Sequence, residues 1–329
     1  MKIGIIGGGA WGTALAALAA EQGEAILWAR NPEVVGSINA EHANPLYLPG
    51  VTLPANLTAT QDLAALHDCA ALILAVPAQT LRQFATEIAT RLSGNAAIII
   101  ASKGIEISTG LLPSDVVHDV LPERTIAILT GPTFAIEMAR GLPTAATLAC
   151  ADDRLGAELV QRLGRPTFRP YLSDDVIGAQ IGGAVKNVLA IACGIVIGRA
   201  LGDNARAALI TRGLAEMTRL GLSLGGRRET LMGLSGLGDL VLTCSGHQSR
   251  NLSLGVALGE GKSLAEIMGA RRTVAEGVHT ARAIEALALR QKIEMPICAA
   301  VDAVLHKQAS IDEMLAALLA RPFRAEEER

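Results

Sequence analysis

Short apolar runs separated by Ala- and Leu-rich stretches fill the first half of the chain. Residues 2–6 (Lys-Ile-Gly-Ile-Ile) predict a buried strand, 7–12 (Gly-Gly-Gly-Ala-Trp-Gly) a turn, and 13–21 a helix that Gly23 ends. Residues 25–28 predict a second strand, stopped by Arg30-Asn31-Pro32. The alternation continues with a strand over 70–76 ending at Pro77, a helix over 79–92, and a strand over 96–101 that runs into Ser102-Lys103-Gly104. A strand over 126–129 runs into Thr130-Gly131-Pro132-Thr133 and a short helix, and 144–149 predicts another strand. Strands alternating with helices predict an α/β unit with a mostly parallel sheet and helices on both faces. Ligands bind beyond the carboxyl ends of such strands. Lys103, Gly131 and Thr133 lie just past strand ends, on that side.

The pattern changes near residue 172. Ser173-Asp174-Asp175 carries the acidic and hydroxyl side chains of a helix start. From there the periodicity is helical: 174–198, 204–220, 252–259, 263–268, 278–291, 297–307 and 311–320, with glycine-rich breaks such as 233–238. This predicts an α/β domain over 1–180 and an all-α domain over 181–329. Just inside the second style lies Gly182-Gly183-Ala184-Val185-Lys186-Asn187, in an otherwise apolar run. A helical side chain leans back over positions i−3 and i−4, so Lys186 crosses two glycines. Taken alone, the segment fits a lysine placed for chemistry and equally one that snorkels past glycines used for helix packing.

Composition narrows the classes. The chain has 329 residues, 50% of them hydrophobic and 2% aromatic, so sizeable cores must be built from Ala, Leu, Val and Ile. The net charge of −3 comes without a long basic block, which argues against nucleic acid. Five scattered cysteines without a Cys-x-x-Cys pair, and six separated histidines, argue against a disulfide framework and a metal site. No apolar run reaches the roughly 18 residues expected of a membrane span, and a cytoplasmic protein is expected. The Ala-rich helical half suits self-association, with a homodimer as the expectation.

Gly7-x-Gly9-x-x-Gly12 follows the first strand and opens a helix. The first glycine permits a tight turn, the second lets backbone approach a pyrophosphate, and the third lets helix and strand pack closely. In its β-α-β setting the motif predicts a Rossmann-like dinucleotide site. The second strand ends in Leu27-Trp28-Ala29-Arg30-Asn31, with a guanidinium where an NAD-selective unit has a carboxylate. Arg30 there suits the 2′-phosphate of NADPH, against the alternative of a surface arginine.

Gly236-Leu237-Gly238-Asp239 places a carboxylate after a glycine turn, and Ser249-Arg250-Asn251 groups a hydroxyl, a guanidinium and an amide fit to hold a phosphate. With Gly-Gly-Ala-Val-Lys-Asn at 182–187, Ser-Lys-Gly at 102–104 and Gly-Pro-Thr-Phe-Ala at 131–135, these stretches closely resemble the bacterial-type NAD(P)-dependent glycerol-3-phosphate dehydrogenases. The resemblance runs from the first strand to about residue 300. It implies reversible reduction of dihydroxyacetone phosphate to sn-glycerol 3-phosphate with NAD(P)H and no metal, in support of phospholipid synthesis. It makes Lys186 the proton donor and acceptor. It places Lys103, Gly131, Thr133, Lys186, Asp239, Ser249, Arg250 and Asn251 at the substrate. It places Trp11, Arg30, Lys103, Ala135, Arg250, Val274 and Glu276 at the cofactor, with Gly7, Gly9 and Gly12 of the glycine turn. Position 133 keeps the hydroxyl of the serine common in relatives. The tail after about 320 has no counterpart.

A lysine at its ordinary pKa of about 10.4 is a poor base at neutral pH. Burial and a neighbouring Lys103 are expected to lower Lys186, with Asp239 limiting the combined charge. The competing readings are a dehydrogenase of β-hydroxy acids or sugar acids on the same plan, and a dinucleotide-sensing regulator that turns over nothing. Ser249-Arg250-Asn251 after Gly-Leu-Gly-Asp favours a small phosphate monoester over the first, and a regulator would need no buried lysine.

Overall fold

The computed structural model describes residues 1–270 and 275–322. Its first half runs β1 (Ile3–Ile6), α1 (Ala10–Ala20), β2 (Ala25–Trp28), α2 (Pro32–Glu41), β3 (Thr58–Thr60), β4 (Ala71–Leu74), α3 (Leu81–Arg91) and β5 (Ala97–Ile100). It continues with α4 (Pro113–Val120), β6 (Ile126–Thr130), α5 (Ala135–Ala139), β7 (Thr144–Cys150), α6 (Asp153–Leu163) and β8 (Phe168–Ser173). The strands form one sheet in the order β3-β2-β1-β4-β5-β6-β7-β8. All neighbours are parallel except β6 and β7. The order reverses between β1 and β4, which opens a crevice beyond their carboxyl ends.

Strand alternation shows why this sheet is buried on both faces. Ile3 and Ile5, Ala71 and Ile73, and Ala97 and Ile99 point into one core with α1 and α6. Ile6, Leu72 and Leu74, and Ile98 and Ile100 point into a second core with α3 and α4. A parallel sheet covered on both sides has continuous apolar strands, which is why these strands stand out in the sequence. The elements it hides are of another kind. The edge strand β8 carries Pro170 and exposed Tyr171 and Leu172, as edge strands do. The helices α2 and α6 begin at capping side chains, Asn31 and Asp152, and α6 turns one face, with Leu159 and Leu163, inward. Helix α1 begins at Ala10, earlier than the expected Thr13, because Gly9 itself is its N-cap.

The second half is helical: α7 (Val176–Gly198), α8 (Asp203–Ser223), α9 (Arg228–Leu231), α10 (Asp239–Ser245), α11 (Arg250–Gly259), α12 (Leu264–Gly269), α13 (Glu276–Gln291), α14 (Pro296–His306) and α15 (Ile311–Leu319). The expected break at 233–238 is instead a π-helical turn, Leu234–Gly238, continuous with α10. Asp175, rather than Ser173, caps α7, accepting from the Gly178 amide at 2.8 Å.

Helix α7 is the axis of this half. By length and composition it is apolar enough to cross a membrane, against the expectation that no segment is, but 83% of its most apolar window is buried inside the protein. Small residues let its neighbours approach. A Cβ on Gly194 would overlap the Leu252 carbonyl and one on Gly198 the Val256 carbonyl, and Gly255 and Gly259 face them from α11. The cores also interlock. Ile105 and Leu112, from the loop after β5, pack into the helical core, while Ala179, and Val176 at its edge, pack from α7 into the core of the sheet.

Candidate active site

Lys186 is buried on the first half of α7, and its ammonium meets two partners from α10. Nζ lies 2.6 Å from Asp239 Oδ1 and 2.9 Å from Thr243 Oγ1. The Thr243 hydroxyl donates to the Asp239 carbonyl at 2.6 Å, one helical turn back, which turns its lone pairs toward the lysine. The second carboxylate oxygen, Asp239 Oδ2, accepts from Lys103 Nζ at 2.7 Å. One buried carboxylate thus joins two lysines from opposite sides of the seam. Burial pushes the Lys186 ammonium down to about 8; Asp239 acts against this and Lys103 with it.

The two glycines before Lys186 make this meeting possible, though not as an empty slot. A Cβ on Gly182 would overlap the Ser235 carbonyl, so the π turn that delivers Asp239 lies directly on the α7 backbone. A Cβ on Gly183 would sit 2.8 Å from Thr130 Oγ1 and 3.6 Å from Lys103 Cγ. The clearance therefore accommodates protein: the turn on one side, the end of β6 and the Lys103 stem on the other.

The strand ends hold Lys103 in place. Its ammonium also donates to the Gly131 carbonyl at 3.0 Å. Gly131 has φ of 138°, and a Cβ there would lie 3.0 Å from Ala146 Cα on β7. Thr133 Oγ1 donates to the same Gly131 carbonyl at 3.1 Å. Behind Lys103, the Ser102 hydroxyl donates to the Val76 carbonyl at 2.6 Å, and Gln79 clasps the loop at the Ile105 carbonyl and the Ile107 amide.

The Ser249-Arg250-Asn251 group divides its work. Ser249 is buried as the N-cap of α11, accepting from the Leu252 amide at 3.2 Å. Asn251 is also buried: its Nδ2 donates to Asn187 Oδ1 at 2.9 Å, and its Oδ1 accepts from the Gly277 amide at 3.0 Å. These bonds join α7, α11 and the start of α13. Arg250 is exposed and lies in the electrostatic field of Glu276.

The glycine turn lies across the β1–β4 crevice. Gly7 has φ of 128°, and a Cβ on Gly12 would overlap the Gly7 carbonyl. At Gly9 a Cβ would meet nothing within 4 Å. A dinucleotide fits this arrangement on two further observations. Trp11 Nε1 and Glu276 Oε2 are both buried and find no hydrogen-bond partner among the described residues. Burial pushes the Glu276 carboxyl up to about 7 against the pull of Arg250. A Cβ on Gly104 would sit 3.8 Å from Glu276 Oε2, so the orphan oxygen faces the Lys103 loop. Arg30 is exposed at the tip of β2, and Ala135 is the first residue of α5. Val274 lies outside the described residues, as does most of the tail after 320. Among the described residues, no group of His, Cys, Asp and Glu could hold a metal ion. Thr243, which touches the candidate base, is suggested in the sequence as a support for the site rather than as a member of it. Its only signal is the spacing of four from Asp239, one helical turn.

A dinucleotide turn at the sheet's switch point, and in the same fold a buried lysine with a lowered pKa held by a carboxylate, define a nicotinamide-dependent oxidoreductase. Comparison with known proteins specifies the family. The family model described as NAD-dependent glycerol-3-phosphate dehydrogenase N-terminus matches residues 2–156, and the corresponding C-terminus model matches 175–316. A "Glycerol-3-phosphate dehydrogenase [NAD(P)+]" of Parvibaculum lavamentivorans is 55% identical over 99% of this chain and 98% of its own. That of Rhodospirillum rubrum is 58% identical over 98% and 93%. A crystal structure of glycerol-3-phosphate dehydrogenase from Coxiella burnetii superposes with a TM-score of 0.93 at 41% identity, covering 97% of this chain and 99% of that one. The chain belongs to the NAD-dependent glycerol-3-phosphate dehydrogenase family.

Proposed function

We propose that this chain reduces dihydroxyacetone phosphate to sn-glycerol 3-phosphate with NAD(P)H, reversibly, and so supplies glycerol phosphate for phospholipids. The observation that carries the chemistry is the pairing of Lys186. An ammonium has three N–H donors. Asp239 and Thr243 take two, which leaves one for the oxygen of a substrate.

The reduced nicotinamide, when bound, supplies the hydride to the carbonyl carbon. Lys186 donates its third proton to the carbonyl oxygen as negative charge develops there. Asp239 holds the ammonium in place and offsets the charge of Lys103. With a pKa near 8, Lys186 is mostly protonated at neutral pH and suits this direction. In the reverse direction the neutral amine takes the proton of the alcohol. Lys103, Gly131 and Thr133 face the substrate from the strand ends. Arg250 holds its phosphate, on the helix start that Ser249 caps and Asn251 anchors. Gly7, Gly9, Trp11, Gly12, Arg30, Ala135, Val274 and Glu276 serve the cofactor, with Lys103 and Arg250 shared.

The same reading divides the chain into a dinucleotide unit over 1–180 and a helical unit over 181–329. This is supported by the end of the sheet at Ser173 and the start of α7 at Val176. A cytoplasmic homodimer is part of the proposal. NADPH oxidation measured with dihydroxyacetone phosphate beside β-keto acids and sugar-acid partners tests it. Turnover confined to the phosphorylated ketone is expected, and faster turnover of an acid would overturn the substrate assignment.

A further inference from the structure

The connection between α2 and β3 is long, and loops of that length without secondary structure are uncommon unless they do something. This one straps α1 at both ends. Near its far end, Asn56 Nδ2 donates to the Ala20 carbonyl at 2.8 Å, where α1 finishes. Near its start, Asn44 reaches the glycine turn where α1 begins. Asn44 is fully buried, with a relative exposure of 0%. Its Nδ2 donates to the Gly8 carbonyl at 3.1 Å and to Thr13 Oγ1 at 2.8 Å. Its own Oδ1 accepts from the Tyr47 amide at 3.3 Å, and its backbone carbonyl accepts from Leu48 at 2.8 Å. The Asn44 side chain is thus locked from behind and aimed at one peptide group.

The direction of that peptide matters. A peptide is planar and trans, so the Gly8 carbonyl and the Gly9 N–H point to opposite sides. Asn44 and, at 3.5 Å, the Thr13 hydroxyl hold the carbonyl inward. The Gly9 N–H is therefore turned outward, to the side where a Cβ on Gly9 would meet nothing. An outward N–H at a helix start is the group that receives a phosphate.

We propose that Asn44 is a positioning residue for the cofactor: by fixing the Gly8 carbonyl, it presents the Gly9 amide to the pyrophosphate. This rests on the glycine turn being the dinucleotide site. Asn56 supplies an internal control, because it makes the same kind of bond to the other end of the same helix.

The test measures NADPH dissociation constants and melting temperatures of the full-length protein. Asn44→Ala and the nearly isosteric Asn44→Leu, which cannot donate, should each weaken NADPH about tenfold, the scale of one or two lost hydrogen bonds. At saturating NADPH, kcat and the KM for dihydroxyacetone phosphate should stay within about twofold. Thr13→Val, which keeps the volume, should give a smaller rise. Asn56→Ala should lower the melting temperature without moving NADPH affinity. Wild-type affinity in the folded Asn44→Leu or Thr13→Val protein would overturn the proposal, as would an equal loss in Asn56→Ala. Failure of the wild type to bind NADPH would instead overturn the reading of the turn.

Discussion

Lys186 Nζ and Asp239 Oδ1 lie 2.6 Å apart, so that a helix of the molecular core and a helix that follows a π turn share one proton-bearing contact. The pair is buried on both sides. Removing one partner of a buried pair leaves an uncompensated charge. The consequences therefore differ for the two residues.

Lys186→Ala should reduce kcat by about 10²-fold or more, the range for a positioned acid–base group, while NADPH affinity stays near wild type. Thr243→Val should produce a smaller loss, because it removes one of the two contacts that aim the ammonium. Steady-state kinetics with parallel NADPH titrations check both, and wild-type turnover of Lys186→Ala would refute the assignment.

The pH profile follows from the lowered Lys186 value of about 8. With Lys186 as the proposed acid and base, oxidation of sn-glycerol 3-phosphate uses the neutral amine, so its kcat/KM should rise through that pH. Reduction needs the ammonium, so its kcat/KM should fall above it. Asp239 raises the Lys186 pKa, and Asp239→Asn should move both midpoints to lower pH. Midpoints that stay in place would separate Asp239 from the titration.

Two glycines predict opposite outcomes. Glycine to alanine inside a helix ordinarily gains up to about 1 kcal/mol. At Gly182 the added methyl would overlap the Ser235 carbonyl, and backbone yields poorly, so Gly182→Ala should lose about 1–3 kcal/mol, the range for overpacking. Gly9→Ala adds its methyl to open space and should leave the melting temperature unchanged while weakening NADPH. Denaturation curves and NADPH titrations on both variants distinguish the two.

Glu216 of α8 caps a helix that has no side-chain cap of its own. The Ile297 and Cys298 amides at the start of α14 donate to its two oxygens at 2.7 and 3.2 Å. Those contacts favour the carboxylate, yet burial outweighs them and pushes it up to about 7. Because the folded value lies above the unperturbed 4.5, this group's contribution is complete below 4.5 and is lost as pH rises through about 7. Glu216→Ala should destabilise by about 1–3 kcal/mol through orphaned amides and should flatten that slope. Thermal melts between these pH values read both effects.

Arg30→Ala should lower the ratio of NADPH to NADH affinity, since only a 2′-phosphate rewards a guanidinium at the tip of β2. An unchanged ratio would remove Arg30 from cofactor selection.

The sequence revealed what depends on local pattern. The apolar runs of β1, β4 and β5 are continuous because both faces are covered, and the glycine turn is legible because its chemistry is local. Lys186 stood out as a cation in an apolar helix. What it would touch did not: Lys103 and Asp239 are 136 residues apart, and no periodicity encodes their contact. Gly182 and Gly183 are ambiguous in the sequence because the π turn that packs on Gly182 reads there as a glycine-rich break. Asn44 gave no signal, since a buried asparagine and a loop asparagine look alike until the partners are known.

The interlocking of the two cores also bears on synthesis. Val176 and Ala179 complete the packing of a sheet whose last strand ends at Ser173, so the dinucleotide half stays unfinished on the ribosome until the start of α7 has emerged. Ile105 and Leu112, already made by then, wait as part of a helical core that does not yet exist. Neither half can be cut away at the change of pattern without baring the other's interior.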